Sequence, residues 1–175
     1  VSKAQYLGSR FLGAALVHLY LYAGLTAGLM LGAAVPWVDP SQFGAFRPMA
    51  YLQPYLLYLL PNLLWVGGLF VALPAFTRRM LPNYIGGVLL FMGYNIAAVL
   101  LGGDALRNST VASVVDPFGL IPTQQLTRYW TAAEQNAQLV PLEGVVLLNR
   151  VLWLGVGLAV VAGLYAGFRF AHLPG

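Results

Sequence analysis

Residues 11–35 read FLGAALVHLYLYAGLTAGLMLGAAV, twenty-five positions without an Asp, Glu, Lys or Arg. About 20 apolar residues, rising 1.5 Å each, are enough to cross a hydrocarbon core of roughly 30 Å. The stretch therefore predicts a membrane span. Three more runs of the same kind follow, at 53–77, 83–103 and 147–168, the last with Arg150 near its start. They are continuous runs, not the alternation of a transmembrane barrel. Composition agrees: of 175 residues, 59% are hydrophobic and 8% charged, where a soluble domain carries about 25% charged residues. That excludes a water-soluble globule, and disorder with it, since disordered chains are polar and charged. The expected fold is all-α, a single polytopic transmembrane domain (1–175) of about four spans in a helical bundle.

The connections sharpen this expectation. Residues 78–82 leave no room for anything but a tight turn, so spans two and three are predicted to be antiparallel neighbours. Residues 104–146 are too long for a turn and predict short helices of their own. The charges sort by side. Lys3, Arg10, Arg78, Arg79 and Arg169 fall together with no acid among them. Arg47, Arg107, Arg128 and Arg150 fall opposite, with all five acids: Asp39, Asp104, Asp116, Glu134 and Glu143. By the positive-inside rule both chain ends are cytoplasmic and the 104–146 loop is external. Trp37, Tyr51, Tyr55 and Trp153 fit the outer interface; Tyr6, Tyr84, Phe168 and Phe170 fit the inner one. The net charge of +4 thus reads as topology, and no nucleic-acid partner is expected. The chain starts at Val1 without a signal peptide, so a fragment of a longer protein is expected.

Few residues carry chemistry. Without cysteine, thiolate metal sites and cysteine nucleophiles are excluded. The spans hold no acid, which disfavours a carboxylate proton relay, and no hydrolase, zinc-protease or phosphate-loop motif occurs. Neither enzyme activity nor a cofactor is expected of this segment. Gly24, Gly28 and Gly32 in span one, and Gly155, Ala159, Gly163 and Gly167 in span four, form ladders at spacing four. Such ladders serve either a dimerisation or gating seam or packing within one chain. Pro54, Pro61 and Pro74 interrupt span two, as a bend or as the wall of a path. Asn62 and Asn95 are expected to hydrogen-bond between spans two and three. His18 is expected to be neutral and bonded inside the bundle, since haem ligation needs a facing second ligand and His172 lies far along the chain. Arg150 is a candidate external gate with Glu143, by an ion pair with it or with Glu134, or else an anchor that snorkels to the interface.

A family resemblance emerges from particular segments. Val1-Ser2-Lys3-Ala4-Gln5-Tyr6-Leu7-Gly8-Ser9-Arg10 resembles the P-V-S-R/K-x-x-Y-L-x-x-K/R stretch that precedes the third span of ABC-2-type transporter permeases. Val115-Asp116-Pro117-Phe118-Gly119, Thr127-Arg128-Tyr129-Trp130-Thr131 and Asn149-Arg150-Val151-Leu152-Trp153 look like the subgroup fused to a zinc aminopeptidase-like domain. The likeness covers nearly all of the chain, as the last four spans of a six-span unit. It implies the permease part of an ATP-driven exporter in a bacterial inner membrane. It further implies a separate ATP-binding subunit, a second permease unit, and Ser2, Lys3, Tyr6 and Arg10 near the ATPase contact; interfacial anchoring is the other reading of those four. An almost uncharged wall suits a lipidic or amphipathic substrate. An anchor for a fused peptidase, and a membrane haem protein, are the alternatives.

Overall fold

The computed structural model describes residues 2–33, 35, 46–101 and 109–170. Trp37, Asp39, Asp104, Arg107 and His172, which entered the topology and haem arguments, lie outside the described residues. Among the described residues the chain is helical and contains no strand. Four long helices are present: α1 Lys3–Ala33, α2 Pro48–Thr77, α3 Leu81–Leu101 and, after the loop, α7 Gly144–Gly167. Three of them, α1, α2 and α7, are long and apolar enough to cross a membrane, which makes this a membrane-embedded protein. Among the described residues three short helices lie between α3 and α7: α4 Thr110–Val115, α5 Leu120–Thr127 and α6 Ala132–Ala137.

Helix boundaries follow local chemistry more than hydropathy. α1 starts eight residues before the apolar run because Ser2 and Gln5 cap it reciprocally. The Gln5 amide donates to Ser2 Oγ at 3.2 Å and the Ser2 amide to Gln5 Oε1 at 2.9 Å, satisfying donors that a helix start leaves free. α2 starts early at Pro48, whose fixed φ suits a first helical turn. It then passes through two π-type segments, Tyr55–Leu59 and Leu63–Gly67. Pro61 has no N–H to give the carbonyl four residues back, and hydrogen bonds skipping one residue further, such as Leu60 N–H to Tyr55 O, carry the helix across the gap. α2 ends where Arg78 takes the left-handed conformation (φ 56°) and its N–H closes on Pro74 O at 2.9 Å.

α7 is the hub, packing on α1, α2, α4 and α5, while α3 rests mainly on the second half of α2. Most of the close approaches fall at glycines outside the two ladders. A Cβ on Gly157 would lie 2.9 Å from Leu64 Cγ and 3.0 Å from the Trp65 backbone nitrogen, and one on Gly68 3.2 Å from Val160 and Val161. By contrast, a Cβ on Gly24, Gly28, Gly32, Gly155 or Gly163 would meet nothing within 4 Å, and only Gly167 packs within the chain, against Phe76. Of the two readings of the ladders, packing within this chain is seen at Gly167 alone of these ladder glycines; a spacing-four pattern identifies a face of small residues but not which face meets a neighbour.

Two ends can be distinguished. At the terminal end Leu7, Ala72 and Leu164 form a small core, flanked by Tyr6 and Phe168. At the loop end α4 and α5 cover α7 and the first half of α2.

Candidate functional site

The loop end holds the molecule's concentration of buried polar groups: Ser113, Asp116, Asn149 and Arg150 are each at most 3% exposed. It is assembled from the loop inward. Ser109 caps α4 by accepting the Ala112 N–H at 3.0 Å. After α4 the chain turns through Asp116-Pro117-Phe118-Gly119. Asp116 Oδ1 accepts the Phe118 N–H at 3.1 Å and Oδ2 the Ile121 N–H at 2.7 Å, an Asx-type turn that starts α5. Gly119 has φ +77°, a conformation side chains resist.

This turn leaves the carbonyls at the end of α4 without helical partners. Asn149, in the second turn of α7, supplies the donors. Its amide nitrogen lies 2.7 Å from Ser113 O, 3.0 Å from Val114 O and 2.8 Å from Asp116 O. Two hydrogens thus serve three acceptors, one of them shared. Trp153 Nε1 adds a donor to Val114 O at 3.3 Å.

Arg150 completes the unit. Its Nε donates to Asn149 Oδ1 at 2.8 Å, and Nη2 donates to the same oxygen. Nη1 reaches Asn62 Oδ1 and Nη2 reaches Pro117 O, each at 3.4 Å. The guanidinium lies 6.0 Å from the Tyr58 ring centre and fills the space beside Gly119, where a Cβ would stand 2.4 Å from Cζ. Asp116 is the nearby countercharge, and the Tyr94 ring from α3 meets Phe118 edge-on at 4.6 Å. Asn62 also accepts from Trp65 Nε1 at 3.3 Å and donates to Phe118 O at 3.4 Å. Buried cations are stable only when hydrogen-bonded and offset by opposite charge; this one is hydrogen-bonded to Asn149, Asn62 and Pro117, with the Asp116 charge nearby. Chemically the unit is a lock: one residue pair on α7 holds α4 and the α4–α5 turn against α2 and α3.

A second tie acts at the rim. Gln53 donates to Val140 O at 2.6 Å and accepts from Val140 N at 3.0 Å, and Arg47 donates to Ala137 O. At α6, Thr131 and Glu134 form a full capping box. The Glu134 carboxyl is held below its usual range, chiefly by the Thr131 backbone N–H and then by its hydroxyl.

The predicted site residues distribute unevenly. Arg150 is central, but the expected pair with Glu143 is not formed: Glu143 is exposed at the start of α7 without a side-chain cap, and Arg150 turns into the protein. Asn62 and Asn95 do not meet; Asn62 serves the lock, and Asn95 donates to Phe91 O of its own helix at 2.7 Å. His18 is exposed and its Nδ1 contacts Ala14 O at 2.8 Å, a bond within one helix and not across the bundle. At the terminal end Ser2 caps α1, and Lys3 Nζ reaches Ala166 O at 3.4 Å beside the Tyr165 ring. Tyr6 stacks on Phe168 at 5.5 Å and takes Arg10 over its ring at 4.8 Å. No group of three or more metal-ligating side chains occurs among the described residues.

Sequence reading singled out neither Gly119, Tyr58 nor Tyr94, and gave Asn149 no partner. The usable signals were the Asp-Pro-x-Gly turn and two adjacent polar residues, Asn149-Arg150, in an apolar run. No protein-family model, curated protein or solved structure matches this chain.

Proposed function

We propose that the chain is the membrane-spanning permease part of an ATP-driven ABC-type exporter of a bacterial inner membrane, moving a lipidic or amphipathic substrate. One observation carries the reading. Two of the segments on which the family resemblance rests, residues 115–119 and 149–153, meet at one buried site through Asn149 and Arg150. They are far apart in sequence, and their meeting at one site is what supports the reading.

In this reading α3 is the remaining span, giving four, with both ends cytoplasmic and the 104–146 loop external. The lock then holds the external face closed. Export requires α4 and α5 to lift from α7, which exposes Asn149 and Arg150 to water and re-solvates them as the protein contacts break. The energy comes from an ATP-binding subunit docked at the cytoplasmic end near Ser2, Lys3, Tyr6 and Arg10, with a second permease unit completing the path.

Expression within its complete gene and with neighbouring genes tests this. An ATP-binding subunit is expected to co-purify, with ATP hydrolysis reduced by Lys3→Ala and Arg10→Ala. No co-purifying ATPase, with hydrolysis indifferent to both substitutions, would replace the reading with that of a membrane anchor. A cysteine at Ser109 is expected to react with an impermeant reagent from outside, and one at Arg79 only after permeabilisation.

A further inference from the structure

The terminal end contains a cleft of about 630 Å³ between the start of α1, the end of α2, the start of α3 and the segment after α7. Four arginines line it, Arg10, Arg78, Arg79 and Arg169, and no acidic side chain does. Among the described residues none of the four is in an ion pair, and all are exposed. The interior is apolar, with Phe70 and Val71 on its wall. One polar atom is out of place: Asn83 Oδ1 is buried with no hydrogen-bond partner among the described residues, although its amide nitrogen donates to Phe70 O at 3.0 Å. Asn83 lines the same cleft. A buried acceptor left without a donor is uncommon in a folded protein, because desolvation is then uncompensated.

These features ask for one ligand chemistry. Arginine forks bind phosphate oxygens in pairs. An apolar wall beside them takes hydrocarbon. A solitary buried acceptor takes a hydroxyl. The cleft also sits at the ends of membrane-spanning helices, where headgroups lie. We propose that it binds one anionic phospholipid with a hydroxyl-bearing headgroup, of the phosphatidylglycerol type, with the phosphate among the arginines, a headgroup hydroxyl donating to Asn83 Oδ1, and an acyl chain along Phe70. The site needs only the membrane setting and stands whether or not the chain transports anything.

Native mass spectrometry of the full chain, equilibrated in mixed micelles with equal phosphatidylglycerol and phosphatidylcholine of matched chains, reads this directly. The expected result is preferential retention of one phosphatidylglycerol. Each basic residue near an anionic headgroup contributes roughly fivefold in affinity, so Arg10→Gln with Arg169→Gln is expected to bring the preference close to parity, and Arg47→Gln at the other end to leave it unchanged. Asn83→Leu is expected to erase selectivity for phosphatidylglycerol over phosphatidic acid while retaining selectivity for anionic over zwitterionic lipid. Unaltered helical circular dichroism keeps these results interpretable, and Arg10→Gln alone, expected to weaken the preference about fivefold, replaces the Gln pair's reading if that double variant unfolds. Equal retention of both lipids by the native chain, or a preference untouched by the arginine-to-Gln substitution, overturns the proposal. Stoichiometric displacement of the lipid by glycerol phosphate also overturns it, in favour of a soluble phosphate ligand.

Discussion

The two ends of the bundle use the same residue type in opposite ways. Arg150 at the loop end is 3% exposed and has all its directions occupied by Asn149, Asn62, Pro117 and the Tyr58 ring. Arg10, Arg78, Arg79 and Arg169 at the terminal end are exposed around a cleft. The difference lies in the backbone nearby. At the loop end, the α4–α5 turn presents carbonyls and a carboxylate with nowhere else to bond, so a buried guanidinium and amide lower the energy. At the terminal end the helices close their own ends: Arg78 N–H serves Pro74 O, and Lys3 serves Ala166 O. With those carbonyls satisfied, and Asn83 Oδ1 the one buried side-chain acceptor left over among the described residues, the arginines remain at the surface. A cation is drawn inside by unsatisfied backbone, not by the apolar character of its helix.

The strongest way to break this comparison is to remove the donors at the loop end. Asn149→Leu is nearly the same size but leaves three buried carbonyls with fewer or no donors and Arg150 without its main acceptor. Each buried group left unsatisfied costs about 1–3 kcal/mol, so a loss of roughly 4 kcal/mol is expected, read as a fall in melting temperature in detergent. Amide exchange over 113–121 should accelerate more than anywhere else. An unchanged melting temperature would mean the lock is not formed.

Arg150→Met comes next. Breaking one side of a buried charged network costs about 3 kcal/mol, here because Asp116 loses its countercharge while keeping the two N–H donors that soften the loss. Arg10→Gln, at the other end, should change stability by less than about 0.5 kcal/mol. Equal effects of the two substitutions would erase the distinction between the ends. Gly119→Ala probes the same guanidinium from the backbone side: a Cβ 2.4 Å from Cζ at φ +77° must push Arg150 out, whereas Gly144→Ala, at φ +52° with open space around it, carries only a left-handed penalty of about 1 kcal/mol.

Much of the bundle was legible in the sequence. The long helices begin within two to eight residues of the apolar runs that announce them, since the hydrophobic requirement of a bilayer is local and repeats at every position. The short helices of the 104–146 loop were also foreseeable from its length. The lock was only half legible. Arg150 stood out as a charge in an apolar run, but spacing pointed to Glu143 and Glu134, the acids closest in sequence, while the partners are Asn62 and the turn around Asp116. Partner choice is a long-range property, set by which carbonyls the α4–α5 turn leaves open. The glycine ladders were ambiguous for a related reason. Periodicity gives a face, and only the crossing of α7 over α2 decides that Gly157 and Gly68 sit in the contact while Gly155 and Gly163 do not.

That last distinction gives a smaller test. Gly157→Val places two methyl groups against Leu64 and the Trp65 backbone, and overpacking of this kind costs about 2 kcal/mol. Gly155→Val, two residues away in open space, should be neutral within the chain. If the Gly155 variant instead lowers assembly into larger particles on size exclusion, the open ladder is a seam between copies, the other of the two readings of the ladders.

The smallest effect belongs to the rim, where α6 depends on one exposed carboxylate. Glu134 accepts from the Thr131 N–H at 2.7 Å and from its hydroxyl at 2.9 Å. Its folded-state pKa is therefore lowered from the ordinary 4.5. The sign follows from linkage: a lowered carboxyl pKa gives stability that is present above 4.5 and is lost as the pH falls through the folded value. Amide exchange over residues 134–138 should accelerate, relative to the intrinsic rate, on acidification below that value, while residues 113–121 stay protected. Glu134→Gln keeps a side-chain oxygen for the Thr131 N–H but not the charge, so it should remove the acid sensitivity while leaving most of the cap. If acid loosened the Asn149 region before α6, the ranking of the two ties would be reversed, and the loop would be held at its rim and not by the buried lock.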